Sequence, residues 1–289
     1  MMHKESVFQK SRRAWLKKIQ QLGLIAVGAW FSPATVFAKP EDAAKAIQEI
    51  TGGKPVLDGK VKLVIPPLVE NGNLVVLKVS VESPMTANDY VKSIHVIAEG
   101  NPLPNIFTVY LTPRSGTATI TTRVRLADSQ TVRAIAQMSN GSFYQGQAET
   151  LVTLSACTEL VWGGIMSKTS RTSITMPSSA KKGSIIEIRA IAQHDMESGF
   201  RYTESGKLIP RDIIRVFTCT YNDVEIFKAD FYSGIGANPL IIFTTIATET
   251  GVLEFKWSGD NGYEAVNQAN ITVSWVSHSS CGFLLPRWS

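Results

Sequence analysis

Apolar and polar residues alternate with a period of two over much of this chain, and this pattern constrains the fold more than any other feature. The alternation is clearest at residues 77–81 and 118–126, and again at 186–190, 253–257 and 271–275. Successive side chains of a β-strand point to opposite faces of a sheet, so a period of two indicates strands with one buried and one solvent-facing side. Turn signals such as Asn71-Gly72 and Asn140-Gly141 separate the strands.

The strands fall into two series, which predicts two domains. Between the series, the stretch from Thr158 to Ser170 contains Gly163-Gly164 followed by serine and threonine, as linkers often do. Short strands at regular spacing on both sides indicate an all-β fold of two immunoglobulin-like antiparallel β-sandwich domains in tandem. Helices do not alternate with the strands, which argues against a parallel α/β enzyme fold. The predicted boundaries are a signal peptide at 1–38, a first sandwich at 39–157, a linker at 158–170, a second sandwich at 171–276 and a C-terminal tail at 277–289.

One short helix is predicted ahead of the first strand, from Glu41 to Ile50. Acidic residues begin it, Gly52-Gly53 follows it, and Ala44, Ile47 and Ile50 are expected to share one face.

The N-terminal segment has the features of an export signal. A charged stretch ending in Ser11-Arg12-Arg13-Ala14-Trp15-Leu16-Lys17 resembles a twin-arginine signal and precedes an apolar run from Leu22 to Phe31. At a rise of about 1.5 Å per residue, that run is too short to span a bilayer. Val36-Phe37-Ala38 suits signal peptidase, so we predict cleavage after Ala38 and a periplasmic protein without a membrane segment. An uncut N-terminal anchor is the alternative.

The net charge of +5 belongs to this leader rather than to the mature chain. The leader holds six cations and one anion, Glu5; removing them from the totals of 29 basic and 24 acidic residues leaves 23 of each. A formally neutral body lacks the overall charge that binding to phosphate backbones requires, so no nucleic-acid partner is predicted.

The three cysteines, Cys157, Cys219 and Cys281, leave at least one thiol without a partner in the same chain. Cys219 lies inside a predicted strand, where a cysteine usually acts as a small buried hydrophobe. Cys157 follows the last strand of the first series among small neighbours, so it is either an accessible carrier thiol or a packed residue at the domain junction. Cys281 lies in the tail, three residues after His278, which could help ionise it. It is a second carrier candidate, a spectator or a disulfide partner of Cys157.

The motifs of common enzyme classes are absent from the sequence. His95, His194 and His278 are far apart and form no HxH or HExxH spacing, and no CxxC, nucleophile-elbow, Walker or dinucleotide-binding motif occurs. His95 lies in an alternating strand and is expected to be a hydrogen-bonded structural residue. We therefore predict a protein that is not an enzyme and has no catalytic residues, metal or cofactor.

Several longer runs resemble a pair of known families. Residues 46–154 resemble SoxY, through Ile50-Thr51-Gly52-Gly53-Lys54, Val69-Glu70-Asn71-Gly72-Asn73, Val81-Glu82-Ser83-Pro84-Met85-Thr86, Ala98-Glu99-Gly100-Asn101-Pro102-Leu103-Pro104 and Arg123-Val124-Arg125-Leu126-Ala127. Residues 172–275 resemble SoxZ, through His194-Asp195-Met196-Glu197-Ser198-Gly199-Phe200-Arg201, Gly206-Lys207-Leu208-Ile209-Pro210-Arg211 and Gly236-Ala237-Asn238-Pro239.

The resemblance implies a sulfur carrier of bacterial thiosulfate oxidation. SoxY and SoxZ form a periplasmic heterodimer of immunoglobulin-like sandwiches, and a cysteine in a Gly-Gly-Cys-Gly-Gly arm of SoxY holds the sulfur intermediate for separate sulfur-oxidising enzymes. Cys157 occupies the position of that cysteine. Fused chains also resemble a carrier group associated with quinoprotein dehydrogenases, which adds such a dehydrogenase or a cytochrome as possible partners.

This chain departs from the family around the carrier cysteine. The segment Leu154-Ser155-Ala156-Cys157-Thr158-Glu159 has no glycine and is internal rather than terminal, whereas glycine gives a swinging arm its backbone freedom. Two hypotheses therefore stand: a covalent carrier acting through Cys157 or, less favoured, Cys281; and a non-covalent binding or scaffold protein for a periplasmic dehydrogenase system.

Overall fold

A computed structural model of the chain describes residues 40–154, 171–203 and 205–275. Within them the chain forms one α-helix, α1 (Pro40–Thr51), and seventeen β-strands. The strands of the first half are β1 (Val56–Asp58), β2 (Val61–Val64), β3 (Leu68–Asn71), β4 (Val75–Val81), β5 (Val91–Ala98), β6 (Asn105–Leu111), β7 (Ala118–Val124), β8 (Gln130–Met138) and β9 (Phe143–Leu154). Those of the second half are β10 (Thr172–Thr175), β11 (Ser179–Lys181), β12 (Ile185–Ala192), β13 (Ile214–Tyr221), β14 (Val224–Phe231), β15 (Leu240–Ile246), β16 (Gly251–Gly259) and β17 (Glu264–Ser274).

Two sheets stack on each other, and each half of the chain contributes strands to both. The larger sheet has the order β1-β9-β8-β5-β6-β14-β13-β16-β17-β11, with β3 added beside β9. The smaller sheet has the order β10-β12-β15-β7-β4-β2. Each half is thus a sandwich of predominantly antiparallel strands, which confirms the predicted all-β class of two immunoglobulin-like domains with a short N-terminal helix.

The two sandwiches are joined edge to edge by strand pairing, which the sequence did not predict. β6 of the first half pairs antiparallel with β14 of the second, from Phe107↔Phe231 to Leu111↔Phe227. In the smaller sheet, Thr122 and Thr121 of β7 pair with Ile241 and Ile242 of β15. Pairing satisfies the backbone groups that these edge strands would otherwise expose.

Alternation along the strands builds one apolar core that runs through both halves. In β4, Val75, Leu77, Val79 and Val81 are buried while Val76 and Lys78 between them are exposed. In the second half, the core is largely aromatic and includes the fully buried side chains of Phe217, Phe227, Phe243, Phe255 and Trp257.

Helix α1 packs on the outer face of the larger sheet. Ala43 and Ala46 are buried against Ile97, Ile135 and Phe143. Ile47 and Ile50 are half-buried in the same cluster, as predicted, whereas Ala44 is exposed, so its predicted place on the packed face was wrong. Residues three and four positions apart lie on the same face of a helix, so both Ala44 and Ala43 have a suitable spacing from Ile47. The sequence pattern alone does not distinguish the two. Among the described residues, no helix has the length and apolarity that a membrane span requires.

Candidate functional site

The three cysteines differ in what the structure says of them. Cys219 lies in β13 with its side chain fully buried, and burial raises the pKa of its thiol well above the ordinary value. A thiol in that position stays protonated and unreactive, which confirms the prediction of a structural residue. Cys157 and Cys281, the two candidate carrier residues, lie outside the described residues, as do the signal peptide, the linker and the tail.

Several of the runs on which the family resemblance depends converge at one end of the molecule, where the two halves meet, whereas residues 50–54 and 81–86 lie elsewhere. We call this region the junction and define it by residues 123–127 of the first half and residues 194–201 and 233–239 of the second. Arg125 crosses between the halves. Its Nη2 donates a hydrogen bond of 2.8 Å to the carbonyl of Asp195, and its Nη1 donates to the carbonyl of Met196. Its own backbone N–H donates to the carbonyl of Gly234 at 2.7 Å.

A second charged group supports the loop that receives Arg125. Glu197 is buried and forms an ion pair with Arg201, and it also accepts a hydrogen bond of 3.1 Å from the backbone N–H of Gly199. Burial alone would raise the pKa of Glu197, but the hydrogen bonds from Arg201 and Gly199 and the positive charges of Arg201 and Arg125 lower it overall. The carboxylate therefore stays ionised and holds the loop in one conformation.

Asn101 links the β5–β6 turn to the same region. Its side chain is buried, its Nδ2 donates to the carbonyl of Arg125 at 2.9 Å, and its Oδ1 accepts from the backbone N–H of Ala127 at 2.9 Å and from Nε2 of Gln130 at 3.1 Å. A buried amide with both ends satisfied fixes the geometry of the segments that it joins.

Two glycines allow the halves to approach closely at the junction. A Cβ atom on Gly234 would lie 3.1 Å from Cγ1 of Ile106, and one on Gly236 would lie 3.2 Å from Cδ1 of Leu74. The backbone N–H of Gly236 donates to the carbonyl of Arg123 at 3.0 Å. A side chain at either position would require its neighbour in the other half to shift by a few tenths of an ångström.

A narrow pocket opens at the junction. Pro102, Leu103 and Ala127 line it from the first half, and Phe200 and Ser233 from the second. Its volume is about 40 Å³, enough for a few water molecules. The pocket is therefore too small to enclose a cofactor or a metabolite of ordinary size.

The described residues on either side of segment 155–170, Leu154 and Arg171, both lie beside the junction. Leu154, where β9 ends, pairs with Asn71 of β3, and the next residue, Gly72, accepts a hydrogen bond of 2.8 Å from the backbone N–H of Leu126. On the other side, the carbonyl of Arg171 accepts a hydrogen bond of 2.8 Å from the backbone N–H of Gln193, the neighbour of His194. The residues that bracket Cys157 in the sequence therefore start and finish at the same end of the molecule.

His194 lies in the junction and is held in one tautomer. Its Nδ1 accepts a hydrogen bond of 2.9 Å from the backbone N–H of Met196, so the proton resides on Nε2, which lies 3.7 Å from Oδ1 of Asp212. Burial lowers the pKa of His194 by more than Asp212 and the nearby carboxylates of Asp195 and Asp260 raise it. The ring is therefore neutral at pH 7 and serves to position the loop.

His95 lies away from the junction, on the outer face of the larger sheet. Its Nε2 is 2.9 Å from Oγ of Ser93 and its Nδ1 is 3.0 Å from Oγ1 of Thr108, which confirms the prediction of a hydrogen-bonded structural histidine. Burial lowers the pKa of His95 to about 4, although the carboxylate of Asp230 opposes part of that shift.

His95 is expected to make the fold sensitive to acid. The unfolded chain takes up a proton on this side chain near pH 6.5 while the folded chain does not until about pH 4, so stability is highest above pH 6.5 and falls as the pH drops towards 4, by about 3 kcal/mol. Replacing His95 with Gln removes this proton uptake. In urea unfolding at pH 7 and pH 5, the free energy of unfolding should fall less for H95Q than for the natural protein. Equal losses in the two proteins would contradict this assignment.

The described residues contain no group of three or more histidine, cysteine, aspartate or glutamate side chains placed to hold a metal ion. The sequence indicated the junction motifs only through their resemblance to known families. It did not predict that they lie together or that Arg125 links the two halves. The glycine and charged residues of the junction motifs were the signal that could have indicated this clustering.

Comparison with known families agrees with the fold and with the position of the motifs. The SoxY family (sulfur oxidation protein SoxY) matches residues 47–157, and the SoxZ family (sulphur oxidation protein SoxZ) matches residues 174–270, which together make up more than two thirds of the chain. A search of curated proteins found no significant match.

Parts of the chain are similar to several solved structures. The sulfur carrier protein SoxY from Chlorobium limicola f thiosulfatophilum is 21% identical over 39% of this chain and 94% of its own, with a TM-score of 0.34. Superoxide reductase (neelaredoxin) from Ignicoccus hospitalis is 21% identical over 32% of this chain and 80% of its own, with a TM-score of 0.30. The two consecutive family matches, in the order that the sequence motifs indicate, show that the chain belongs to the SoxY and SoxZ families of sulfur-oxidation proteins, joined as a SoxY domain followed by a SoxZ domain in one polypeptide.

Proposed function

We propose that the protein is a periplasmic carrier, not itself an enzyme, that holds a sulfur-containing intermediate covalently on Cys157 while partner enzymes of sulfur-compound oxidation act on it. The observation that carries this proposal is the extent of the SoxY match, which ends at residue 157, the cysteine itself. The burial of Cys219 supports it further, because the thiol in the core is removed from consideration as the carrier.

The position of Leu154 beside the junction limits where the thiol of Cys157 can lie. Three residues of extended chain span at most about 11 Å, so Cys157 cannot lie farther than that from Leu154 at the junction. A partner enzyme that meets the thiol must therefore approach this end of the molecule. Fusion of the two domains keeps the SoxZ part of the junction permanently beside the SoxY part.

The chemistry that we propose uses the thiolate of Cys157 as the nucleophile. In coupling to thiosulfate, a sulfur–sulfur bond forms between Sγ and the outer sulfur of thiosulfate, and two electrons leave to an electron-accepting partner such as a cytochrome. The product is a cysteine S-thiosulfonate, and the thiol proton is lost to solvent when the thiolate forms. Partner enzymes then hydrolyse or oxidise the bound group.

The alternative of a non-covalent scaffold rests on one observation in the sequence. The segment that contains Cys157 lacks the glycines of a swinging arm and is tethered at both ends, so it would enter a narrow active-site channel less readily. In that case the junction would recruit a periplasmic dehydrogenase system and Cys157 would be silent.

Intact-mass measurement of the mature protein purified from sulfur-oxidising cells tests the proposal. We expect a mature chain that begins after Ala38 and carries an added sulfur-containing group, which reductant removes and which peptide mapping places on Cys157. The group should be absent from C157S and retained in C281S. An adduct on Cys281, a Cys157–Cys281 disulfide, an unmodified Cys157, or turnover by the purified protein alone would each contradict the proposal.

A further inference from the structure

The outer face of the smaller sheet carries charge of nearly one sign. The strand register fixes which side chains point outwards from this sheet. One outward-pointing row runs across five neighbouring strands, and each of its residues pairs with the next: Val64, Lys78, Thr121, Ile242 and Arg189. Within the strands, the charged residues on this side are four cations and one anion: Lys62, Lys78, Arg123, Arg189 and Glu187. The exposed Glu82 follows directly after β4. We call this surface the basic face.

Three of the cations are neighbours. Lys78 pairs with Val64 on one side and with Thr121 on the other. Lys62 is two residues from Val64 and Arg123 is two residues from Thr121, so both are diagonal neighbours of Lys78. Such diagonal neighbours on adjacent strands are about 7–8 Å apart, which is within reach of long side chains, so these like charges gain nothing from their proximity. The arrangement therefore does not serve the stability of the fold.

Five cations elsewhere in the described residues are paired with nearby carboxylates, whereas the cations of the basic face are not. The ion pairs are Arg133–Glu99, Arg201–Glu197, Arg211–Asp260, Lys228–Asp230 and Lys256–Glu264. Across the described ranges, no ion pair includes Lys62, Lys78, Arg123 or Arg189. A predominantly basic surface on a formally neutral body gives a local field that attracts a partner of opposite charge.

Exposed aliphatic side chains lie between the cations. Val64 and Val76 are 47% and 50% exposed, and Ile242 is partly exposed in the same row as Lys78 and Arg189. From the spacing of strands and residues, the face covers roughly 600 Å², which equals one side of a small, transient protein interface.

We propose that the basic face is a docking surface for the acidic surface of a partner protein. The interleaved aliphatic residues favour a protein over a nucleic acid, because a protein interface buries apolar side chains whereas phosphate backbones do not. Arg123 places one end of the face at the junction, since its carbonyl accepts the hydrogen bond from Gly236. A partner docked there would lie at the end of the molecule where Leu154 and Arg171 are found. The inference does not depend on Cys157 being the carrier.

Removal of three charges from the basic face tests the inference, with the mature full-length protein and three labelled probes. The variant is K62Q/K78Q/R123Q, and the control K45Q/K54Q/K207Q removes the same net charge from exposed lysines elsewhere. The probes are poly-L-glutamate, a short duplex DNA and phosphatidylglycerol vesicles. We expect poly-L-glutamate to bind the face variant about tenfold more weakly than the natural protein and the control at low salt, with a difference that shrinks as salt rises.

A photo-crosslinker at Val76 extends the test to the cell. It should trap a protein with an acidic surface, and the product should disappear with the face variant and persist with the control. Equal loss of poly-L-glutamate binding in both triple variants would overturn the inference. So would tighter binding of the natural protein to DNA or vesicles than to poly-L-glutamate, if the face variant loses that binding and the control keeps it. Thermal unfolding of both variants by circular dichroism establishes that they are folded. None of these outcomes depends on whether Cys157 carries an adduct, so this proposal and the carrier proposal can fail separately.

Discussion

Replacing Phe217 with Ala is expected to lower the free energy of unfolding by about 3–5 kcal/mol. The Phe217 ring is fully buried and contacts four other aromatic rings. Its centroid lies 4.3 Å from that of Trp257, 6.0 Å from those of Phe227 and Phe243, and 6.4 Å from that of Phe255. An alanine would leave a cavity that these large rings cannot close without moving away from their own neighbours.

Urea unfolding, followed by tryptophan fluorescence and by far-UV circular dichroism, measures this effect. The exposed Val266, changed to Ala, is the matched control and should alter stability by less than about 0.5 kcal/mol. Because one apolar core runs through both halves, both signals should shift together in a single transition. A variant in which only the SoxZ domain unfolds early would show that the shared sheets do not make the two domains one cooperative unit.

Replacing Arg125 with Ala is expected to cost about 3 kcal/mol and to loosen the contact between the two domains. The guanidinium donates to the carbonyls of Asp195 and Met196, and hydrogen bonds from a charged donor contribute about 1.5–3 kcal/mol each. Met196 is fully buried, so its carbonyl would lose its partner in a place that water reaches poorly.

The conservative change Arg125→Lys separates charge from geometry at this position. A lysine keeps the charge but cannot donate to two carbonyls as a planar guanidinium does, so its loss of stability should be intermediate. Hydrogen exchange of the amides at residues 194–201 should rise in R125A and less in R125K. If exchange there stays unchanged in both variants while stability falls, Arg125 contributes to packing and not to the contact between the domains.

Much of the fold and part of the site could be predicted from the sequence, because they depend on local pattern. The strand between residues 75 and 81 was predictable because Leu77, Val79 and Val81 alternate with polar residues. The burial of Cys219 followed from the strand that contains it. The edge-strand pairing of β6 with β14 could not be predicted, because it joins residues about 120 positions apart through backbone groups that carry no side-chain signal.

Alternation of apolar residues, the order of the two families and the position of Cys157 at the end of the SoxY match are properties of the sequence by itself. Only the tertiary structure decided that the two sandwiches share both sheets and that Arg125 binds the loop at residues 195–196. It also decided that Lys62, Lys78 and Arg123 form one unneutralised surface. The physical reason is that periodicity reports which face of a strand is buried, whereas the neighbours of each strand are selected by long-range register and by the packing of side chains from distant parts of the chain.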